Sequence, residues 1–450
     1  MKENYMLCDG FALSLYEKYA KNLPVIDYHN HLDVKGISDN VKIENITKLW
    51  ISSDPYKHRA MRILGVEEKY ITGNADDRQK FEKWYESLPL LAGNVLFDWS
   101  VMELDKVLGV DLLYELEKET PAEEMWQRLN EKAMSLTPKQ ILSGFYIEYL
   151  SPCAAFCDDL SVFDGLCNIH PSLRGDDGTN VSVSTVKDLS RITGVKIMSL
   201  DGYISALEKR TADFVKYGCK FSDHAVDDGF IYFEDDGKNE ERFTKLLSGS
   251  ELTAEEKQRL YCYVLVKLCG IYEKYGITVQ LHMGALRKTS TRLRNVAGPA
   301  GGYAAMGSCV KADSITHMLD DIEKSGSLPK ILLFNLNPSD NALMDTLCGS
   351  YSRDGVMSVV SRGPAWWWCD HLKGINDMLD SFCAYSVLST FTGMTTDSRS
   401  LLSIVRHDYF RRVLCSYISK KVKDGALADS EKILGKIVEK MCYKNAKELI

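Results

Sequence analysis

Two histidines separated by one residue are the first place where this sequence could do chemistry. His29 and His31 follow the short apolar run Val25-Ile26, which is typical of a buried strand. Alternate side chains of an extended backbone share a face, so the two imidazoles should point the same way. Imidazole is the commonest metal ligand in proteins, and the chain has 9 histidines in 450 residues. We therefore predict half of a metal site here, rather than two unrelated surface histidines.

Other polar side chains directly follow later strand-like runs. His282 comes after one of these runs and Asp397 after another. Two imidazoles and a carboxylate suit one divalent cation that keeps open positions for a substrate. We predict that His29, His31 and Asp397 hold this cation. A structural alternative for Asp397 is to cap a helix that begins near Ser400.

Arginines close to these positions indicate an anionic substrate. Arg399 lies two residues after Asp397, and Arg174 follows the third strand-like run. A guanidinium group matches a carboxylate in two-point geometry. His224 is a candidate substrate contact, with a satisfied structural pair with Asp223 as the alternative. The run of tryptophans that begins at Trp366 is expected to pack the core and the wall of the pocket.

Strand-like runs alternate with helical patterns along most of the chain. This alternation predicts parallel pairing in an α/β fold, with a closed (β/α)8 barrel ahead of an open doubly wound sheet. The open sheet ranks second because no run is followed by a Gly-rich phosphate-binding sequence. In a barrel, the residues named above would all lie at the C-terminal ends of strands. The predicted strands include 25–26, 145–150, 166–169, 219–222, 278–281, 331–334, 356–360 and 389–394.

A long stretch after the first strand shows only helical patterns. Apolar residues recur there at three- and four-residue spacing, and the stretch is too long for a plain connection. We predict one barrel over residues 1–450 that contains a helical lid or insertion subdomain at 36–140. Residues 431–450 are expected to form closing helices.

The composition is that of an ordinary globular protein, with 45% hydrophobic and 26% charged residues. A net charge of −8 and a pI near 5.7 argue against a nucleic-acid partner. The 13 cysteines show no zinc-finger spacing, which favours reduced thiols. No signal peptide or membrane-spanning run is evident, so we expect a cytoplasmic protein with neither nucleic acid nor membrane as a partner.

Several blocks of this sequence, in order, resemble the uronate isomerase (glucuronate isomerase) family of the amidohydrolase superfamily. The resemblance spans nearly the whole chain, and the block that begins at Gly393 is the strongest. No single block decides it, but the order and the spacing together are specific. The blocks are 27–31, 54–62, 71–81, 171–174, 219–224, 281–287, 393–400 and 406–412.

The resemblance implies an aldose–ketose isomerase with a barrel of the amidohydrolase type. Its substrates would be D-glucuronate, converted to D-fructuronate, and D-galacturonate, converted to D-tagaturonate. One divalent metal, expected to be zinc, would be held by the three predicted ligands, and a homo-oligomer is expected. Asp397, Tyr56 and Arg399 would surround the proton-transfer centre, with base and acid not divided among them. His282 would be a further catalytic residue, Arg174 would bind the substrate carboxylate, and Trp366 and His224 would contact the substrate.

Three positions depart from the family pattern. Pro55 stands where a histidine usually precedes the lid tyrosine, an acidic segment after strand two is replaced by residues 151–156, and Cys369 stands where an asparagine is expected. All three changes remove polar groups from places expected to face the substrate. The alternatives are therefore an isomerase of a different sugar acid, a metal-dependent hydrolase of the amidohydrolase type, and a binding protein without turnover. A hydrolase would often have a histidine after the sixth strand, where this chain has Asn335, and Lys220 is a conceivable carbamate.

Overall fold

The structure, a computed structural model, describes residues 1–326 and 328–450. Within this range it contains one seven-stranded parallel sheet and one two-stranded ribbon. The sheet order is β1-β2-β3-β4-β5-β8-β9, and β6 and β7 form the antiparallel ribbon. The strands are β1 (Val25–Asn30), β2 (Ile147–Ala155), β3 (Ser172–Arg174), β4 (Phe221–Val226), β5 (Thr278–Met283), β6 (Ala285–Leu286), β7 (Ala305–Met306), β8 (Ile331–Asn335) and β9 (Val360–Arg362).

Helices connect the strands and surround the sheet. None of the described helices is both long enough and apolar enough to cross a membrane. The helices are α1 (Gly10–Tyr19), α2 (Val34–Asp39), α3 (Ile46–Trp50), α4 (Pro55–Ile63), α5 (Asp77–Ser87), α6 (Val95–Leu108), α7 (Leu112–Glu117), α8 (Ala122–Met134), α9 (Pro138–Ser143), α10 (Asp176–Thr179), α11 (Val183–Thr193), α12 (Leu200–Lys216), α13 (Asn239–Leu247), α14 (Ala254–Tyr275), α15 (Thr291–Ala297), α16 (Ala312–Lys324), α17 (Asn341–Ser350), α18 (Leu372–Tyr385), α19 (Arg406–Lys423), α20 (Glu431–Glu439) and α21 (Asn445–Lys447).

The parallel sheet is strongly curled. In a flat sheet β1 and β5 would lie roughly 19 Å apart, since neighbouring strands are about 4.8 Å apart. Instead, the side-chain amide of Gln280 on β5 donates to the carbonyl oxygen of Tyr28 on β1 at 3.2 Å. The imidazole centres of His29 and His282 are 4.6 Å apart. The curl therefore brings side chains from distant strands to one place inside the sheet.

A small apolar cluster contains side chains from four strands of the parallel sheet. It holds residues from β1, β2, β4 and β8, together with Ala285 of β6, and all of them are buried. These side chains contact one another only because the sheet curls, so their packing stabilises the curl itself. The cluster members on these strands are Ile26, Tyr28, Tyr149, Phe221, Leu332 and Phe334.

Six of the eight predicted strands overlap an observed strand. One of these six, the predicted strand 356–360, does so only at Val360. The prediction for 166–169 is wrong, because only Ile169 pairs there, as an isolated bridge to Leu150, and the third strand is β3. The prediction for 389–394 is also wrong. Residues Leu388–Thr390 form a 3-10 turn, and none of the described residues after them belongs to a sheet strand. Apolar composition suggested strands in both places, but backbone pairing with a neighbour decides whether a strand forms.

The segment after this turn nevertheless runs beside β1. The backbone N–H of Asp397 donates to the carbonyl oxygen of His29 at 3.0 Å, and the N–H of His31 donates to that of Ser398 at 2.8 Å. The hydroxyl of Tyr28 also donates to the carbonyl oxygen of Gly393. These bonds place Asp397 against the end of β1 although more than 360 residues separate them in sequence.

Between β1 and β2 the described chain forms eight helices, α2 to α9, with 3-10 turns between some of them. The buried apolar side chains of α3 to α8 belong to the same continuous core as those of α18, α19 and α20. Those of α2 belong to a second core with strand residues, and α9 contributes to both. A buried polar contact adds to this packing, because Trp50 on α3 donates its indole N–H to Glu103 on α6 at 2.6 Å. The helical stretch is thus packed against the C-terminal helices rather than around a core of its own.

Candidate active site

A cavity of about 640 Å³ lies at the C-terminal ends of the strands. Its walls come from strand ends, from the first turn of α4 and from the loop between α15 and β7. This volume is ordinary for a small-molecule site. The predicted site residues that line the cavity are His29, His31, Tyr56, Arg174, His282, Trp366, Asp397 and Arg399.

The three predicted metal ligands converge on one point. Oδ1 of Asp397 lies 3.3 Å from Nε2 of His29 and 2.9 Å from Nε2 of His31. Burial would raise the pKa of Asp397, but hydrogen bonds from the two imidazoles hold it well below its usual range. Two nitrogens and a carboxylate oxygen at these distances form a donor set that fits Zn²⁺ or a similar divalent cation.

The carboxylate of Asp397 is held by its backbone and by a tryptophan. Its φ is +45°, a left-handed conformation that Asp tolerates better than most residues. Its second oxygen, Oδ2, accepts the indole N–H of Trp366 at 2.8 Å. Asp397 does not cap a helix, because the 3-10 turn Leu401–Val405 is capped by the side chain of Ser400. The sequence alternative of a capping role is therefore not observed.

His282 lies beside His29, with one ring nitrogen directed into buried space. Its ring stacks on Phe334 with centres 4.5 Å apart, and its Nε2 has no hydrogen-bond partner among the described residues. The pKa of His282 lies well below its usual range, mainly because the ring is buried and secondly because His29 is nearby. A neutral imidazole with a free nitrogen beside the cavity can bind a substrate hydroxyl or a cation.

Two groups of potential metal ligands share His29. In one group the ligand atoms of His29, His31 and Cys153 all lie within 4.8 Å of one another. In the other, those of His29, Asp223 and His282 do so. Asp223 lines the cavity from β4, and its Oδ1 lies 3.5 Å from Sγ of Cys153. The sequence interpretation of residues 151–156 as a simple loss of polar groups missed this position of Cys153.

His224 does not join the predicted site. It is fully buried, and its Nε2 lies 3.1 Å from the hydroxyl oxygen of Tyr272 on α14. Alternate residues of a strand face opposite sides, so Asp223 and Ala225 face the cavity and His224 faces the helices. The prediction that His224 contacts the substrate is wrong for this structure, and so is its pairing with Asp223. Strand alternation could have shown that only one of the two neighbours can face the cavity.

The three arginines of the cavity differ in their partners. Nε of Arg174 lies 3.4 Å from Oδ2 of Asp176, and Nε of Arg287 lies 2.8 Å from Oδ1 of Asp227. Arg399 forms no ion pair with any carboxylate of the described residues, although it lines the cavity close to Asp397. Its guanidinium group is therefore the one best placed to receive an anion from solution.

Tyr56 contacts a buried acid that the sequence interpretation did not single out. The helix α4 begins at Pro55 with Asp54 as its cap, which puts Tyr56 in the first turn. The hydroxyl of Tyr56 donates to Oδ2 of Asp370 at 3.4 Å, and Nη1 of Arg406 lies 3.6 Å from the same oxygen. Burial raises the pKa of Asp370 to about 8, against the lowering effect of Arg406. A buried acid titrating near neutrality beside a cavity is typical of functional sites.

The departures from the family pattern fall in different places. Pro55 lines the cavity, and Cys153 lies beside the predicted metal ligands. Cys369 is buried and donates its thiol hydrogen to the carbonyl oxygen of Leu336 at 3.4 Å. It does not line the cavity, so the prediction that all three positions face the substrate is wrong for Cys369.

Known proteins resemble this chain over its whole length. The family model described as glucuronate isomerase matches residues 1–450. The uronate isomerase of Caldicellulosiruptor bescii is 38% identical over 461 residues, which cover 100% of this chain and 98% of that protein. The uronate isomerase of Shouchella clausii is 37% identical over 460 residues, with 99% and 96% of the two chains covered.

Solved structures show the same similarity. The uronate isomerase from Thermotoga maritima has a TM-score of 0.89 at 27% identity, covering 100% of this chain and 99% of that one. The glucuronate isomerase from Caulobacter crescentus has a TM-score of 0.88 at 21% identity, with 100% and 96% covered. At that lower identity, the likeness concerns the fold alone.

Proposed function

Because the chain belongs to the glucuronate isomerase family, we propose that it catalyses aldose–ketose isomerisation of hexuronates. The substrates are D-glucuronate, which gives D-fructuronate, and D-galacturonate, which gives D-tagaturonate. The observation that carries this proposal is the convergence of His29, His31 and Asp397 in one cavity with Arg399, which has no ion-pair partner in the described part of the chain. A sugar acid offers both the hydroxyls and the carboxylate that such a cavity would bind.

The proposed reaction moves one proton within the open-chain sugar. A base removes the proton from C2 while the oxygen at C1 gains a proton, which gives an enediol. The hydroxyl at C2 then loses its proton while one is delivered to C1, so that the ketose forms. Asp397, Tyr56 and Arg399 surround this centre, and Arg174 receives the substrate carboxylate. The Tyr56 hydroxyl remains protonated, because burial and then Asp370 raise its pKa well above its usual value. Such a hydroxyl is suited to donate a proton or a hydrogen bond.

We propose that His29, His31 and Asp397 hold one divalent metal, which we expect to be zinc. The fit of this donor set supports the proposal. A divalent metal would polarise the substrate oxygens and so stabilise negative charge that develops on them. Trp366 contributes by holding Oδ2 of Asp397, which leaves Oδ1 directed at the two imidazoles.

The finer architecture is part of the same proposal. We infer a (β/α)8 barrel of the amidohydrolase type over residues 1–450, in which the segment 393–398 takes the place of the eighth strand beside β1. The backbone hydrogen bonds between Asp397 and His29 and between His31 and Ser398 support this arrangement. Residues 36–140 would be a helical subdomain within it. A cytoplasmic location and a homo-oligomer remain predictions, and the free state of the described cysteines supports the former.

Two observations favour isomerisation over hydrolysis. The strand β8 ends at Asn335, whose amide donates to the carbonyl oxygen of Asn337 at 2.7 Å, so this strand end supplies no histidine for a hydrolytic metal set. Lys220 comes immediately before β4, at the end of that strand opposite to the cavity. It is therefore badly placed to bridge metals as a carbamate.

The proposal is tested with D-glucuronate and D-galacturonate as substrates. Ketose formation is followed by NMR, and the metal content is measured by elemental analysis of protein purified without chelator. We expect turnover and nearly stoichiometric metal. A His29→Ala, His31→Ala double variant should lose both, whereas His317→Ala, an exposed histidine on α16, should lose neither. Binding of uronates without any ketose would identify a binding protein, and equal metal in the double variant would refute the assigned ligands.

A further inference from the structure

His29 presents its two ring nitrogens to two different partners. Its Nε2 faces Oδ1 of Asp397 at 3.3 Å, and its Nδ1 lies 3.5 Å from Sγ of Cys153. The two nitrogens lie on opposite edges of the ring, so a cation bound through Nε2 leaves Nδ1 to carry a hydrogen. Histidines that bind metals usually donate this second N–H to a carboxylate or a backbone carbonyl.

Cys153 has a partner of its own on the far side. Its Sγ lies 3.5 Å from Oδ1 of Asp223 on β4, at the distance of a hydrogen bond that involves sulfur. A thiol can accept one hydrogen and donate another. The three side chains can thus form a continuous chain in which His29 donates Nδ1–H to the sulfur and the thiol donates S–H to the Asp223 carboxylate.

The strands hold this chain in place. Cys153 lies on β2, between two residues that pair with neighbouring strands. Pro152 before it pairs with Asn30 on β1, and Ala154 after it pairs with Leu173 on β3. The position of the sulfur between β1 and β4 therefore depends on the parallel register of the curled sheet rather than on a mobile loop.

We propose that Cys153 is a positioning residue for the metal ligand His29. By accepting Nδ1–H it keeps the imidazole in the tautomer whose Nε2 lone pair faces the cation, and it fixes the plane of the ring. This inference rests on the metal site of the proposed function and deepens it. It also gives a role to one of the residues in the altered segment 151–156, since a thiol here takes the place that a carboxylate or carbonyl usually holds.

The sulfur could instead bind the cation directly. Two ligands on one tetrahedral zinc, with Zn–N near 2.0 Å and Zn–S near 2.3 Å, would place nitrogen and sulfur about 3.5 Å apart. The 3.5 Å separation alone fits that arrangement equally well. For a cation shared with Asp397, the orientation of the ring favours the positioning role, because the nitrogen that faces Cys153 is not the one that faces Asp397.

The first measurement is metal affinity, by competition with a chromophoric chelator for Zn²⁺. Removal of a hydrogen-bond partner of a metal-binding histidine typically weakens metal binding about 10- to 100-fold. We expect a loss of that size for Cys153→Ala and a recovery of most of it in Cys153→Ser, whose hydroxyl can also accept and donate. Cys157→Ala, two residues beyond the end of β2, should bind the metal as the parent does.

The second measurement is the absorption spectrum of the Co²⁺-loaded protein. We expect d–d bands without a thiolate-to-cobalt charge-transfer band in the near ultraviolet, and nearly the same spectrum for Cys153→Ser. A charge-transfer band that Cys153→Ser abolishes would overturn the positioning role in favour of direct ligation. Equal Zn²⁺ affinity in the parent and Cys153→Ala would overturn it also. A parent protein that binds neither metal would refute the proposed metal site itself, whereas the uronate assay tests the isomerase separately.

Discussion

At the scale of single residues, the charges in the cavity are distributed unequally. Arg174 and Arg287 each have a carboxylate partner within 3.4 Å, and Arg399 has none among the described residues. Pairing with a protein carboxylate reduces what an arginine can gain from negative charge on a substrate. With Arg174 assigned to the substrate carboxylate, Arg399 beside Asp397 should contribute most to stabilising the negative charge that develops in the transition state.

Replacing Arg399 by methionine keeps its length and removes its charge. Loss of a charge-assisted contact to the substrate should cost about 2 to 4 kcal/mol in the transition state. On that basis kcat/KM should fall about 30- to 1000-fold, with unchanged thermal unfolding. Steady-state kinetics on D-glucuronate measures this loss. Arg399→Lys keeps the charge without the two-point geometry, so its kcat/KM should lie between those of the parent and of Arg399→Met. Parent-like turnover of Arg399→Met would remove this residue from the site.

Asp370 provides a prediction on pH. Its pKa is about 8 in the folded protein and near 4 in an unfolded chain, so the folded state binds the extra proton between these values. The contribution of Asp370 to stability is therefore largest at low pH and is lost as the pH rises towards 8. Charged groups that act on it are Arg406, Asp397 and Asp54, besides the hydroxyl of Tyr56.

The side chain in Asp370→Asn cannot ionise, so the variant should not lose stability in this way as the pH rises. We expect the variant to gain stability relative to the parent as the pH rises from about 5 to about 8. The measurement is denaturant unfolding of chelator-treated protein, because a bound cation would favour the charged carboxylate. Asp39→Asn, at an exposed side chain, controls for the loss of one charge. A stability difference that does not change with pH would contradict the raised pKa.

At the scale of elements, one loop and one helix close the cavity together. Gly302 lies in the loop between α15 and β7, and a Cβ added there would lie 2.1 Å from the carbonyl oxygen of Pro55 on α4. Its φ of +78° also favours glycine. Nη1 of Arg59 donates to the carbonyl oxygen of Ala304 at 3.2 Å and so ties the same loop to the helix.

Gly302→Ala should push this loop away from α4 and raise KM for the sugar acid more than it lowers kcat. The matched control is Gly298→Ala in the same loop, where φ is +71° and nothing lies within 4 Å of the added Cβ. Both variants carry a backbone cost of about 1 kcal/mol or more in stability. Steady-state kinetics of both proteins separates the steric contact from the backbone cost. An equal increase of KM in the two variants would show that contact with α4 does not shape the cavity.

At the scale of the whole molecule, the departures from the family bear on substrate choice. Pro55 faces the cavity without a side chain that can donate, accept or titrate, where the resemblance to the family leads us to expect a histidine. A cavity that pairs fewer hydroxyls discriminates less well between sugars. We expect measurable but weak turnover of D-glucuronate, with another sugar acid preferred.

A panel of hexuronates, pentonates and deoxy sugar acids tests this expectation. Proton exchange at C2 in deuterated water reports the isomerisation step for every member of the panel. Pro55→His should shift the preference towards D-glucuronate. If no other sugar acid exceeds D-glucuronate in the parent protein, the replacements do not redirect specificity.

Local patterns in the sequence were sufficient for part of this site. The spacing of His29 and His31 depends only on strand alternation, and both imidazoles do point at one carboxylate. The arrangement Asp54-Pro55 before an apolar helical pattern likewise produces a capped helix that carries Tyr56. These features follow from neighbouring residues, because backbone geometry fixes the direction of side chains a few residues apart.

Only the tertiary structure decided the rest. Whether Asp223 or His224 faces the cavity depends on how β4 is rotated within the curled sheet, and that rotation is set by packing against α14. The contact of Cys153 with His29 depends on the register between β1 and β2, and the contact of Asp370 with Tyr56 joins segments 314 residues apart. Such contacts are products of the whole packed core, which no short stretch of sequence specifies.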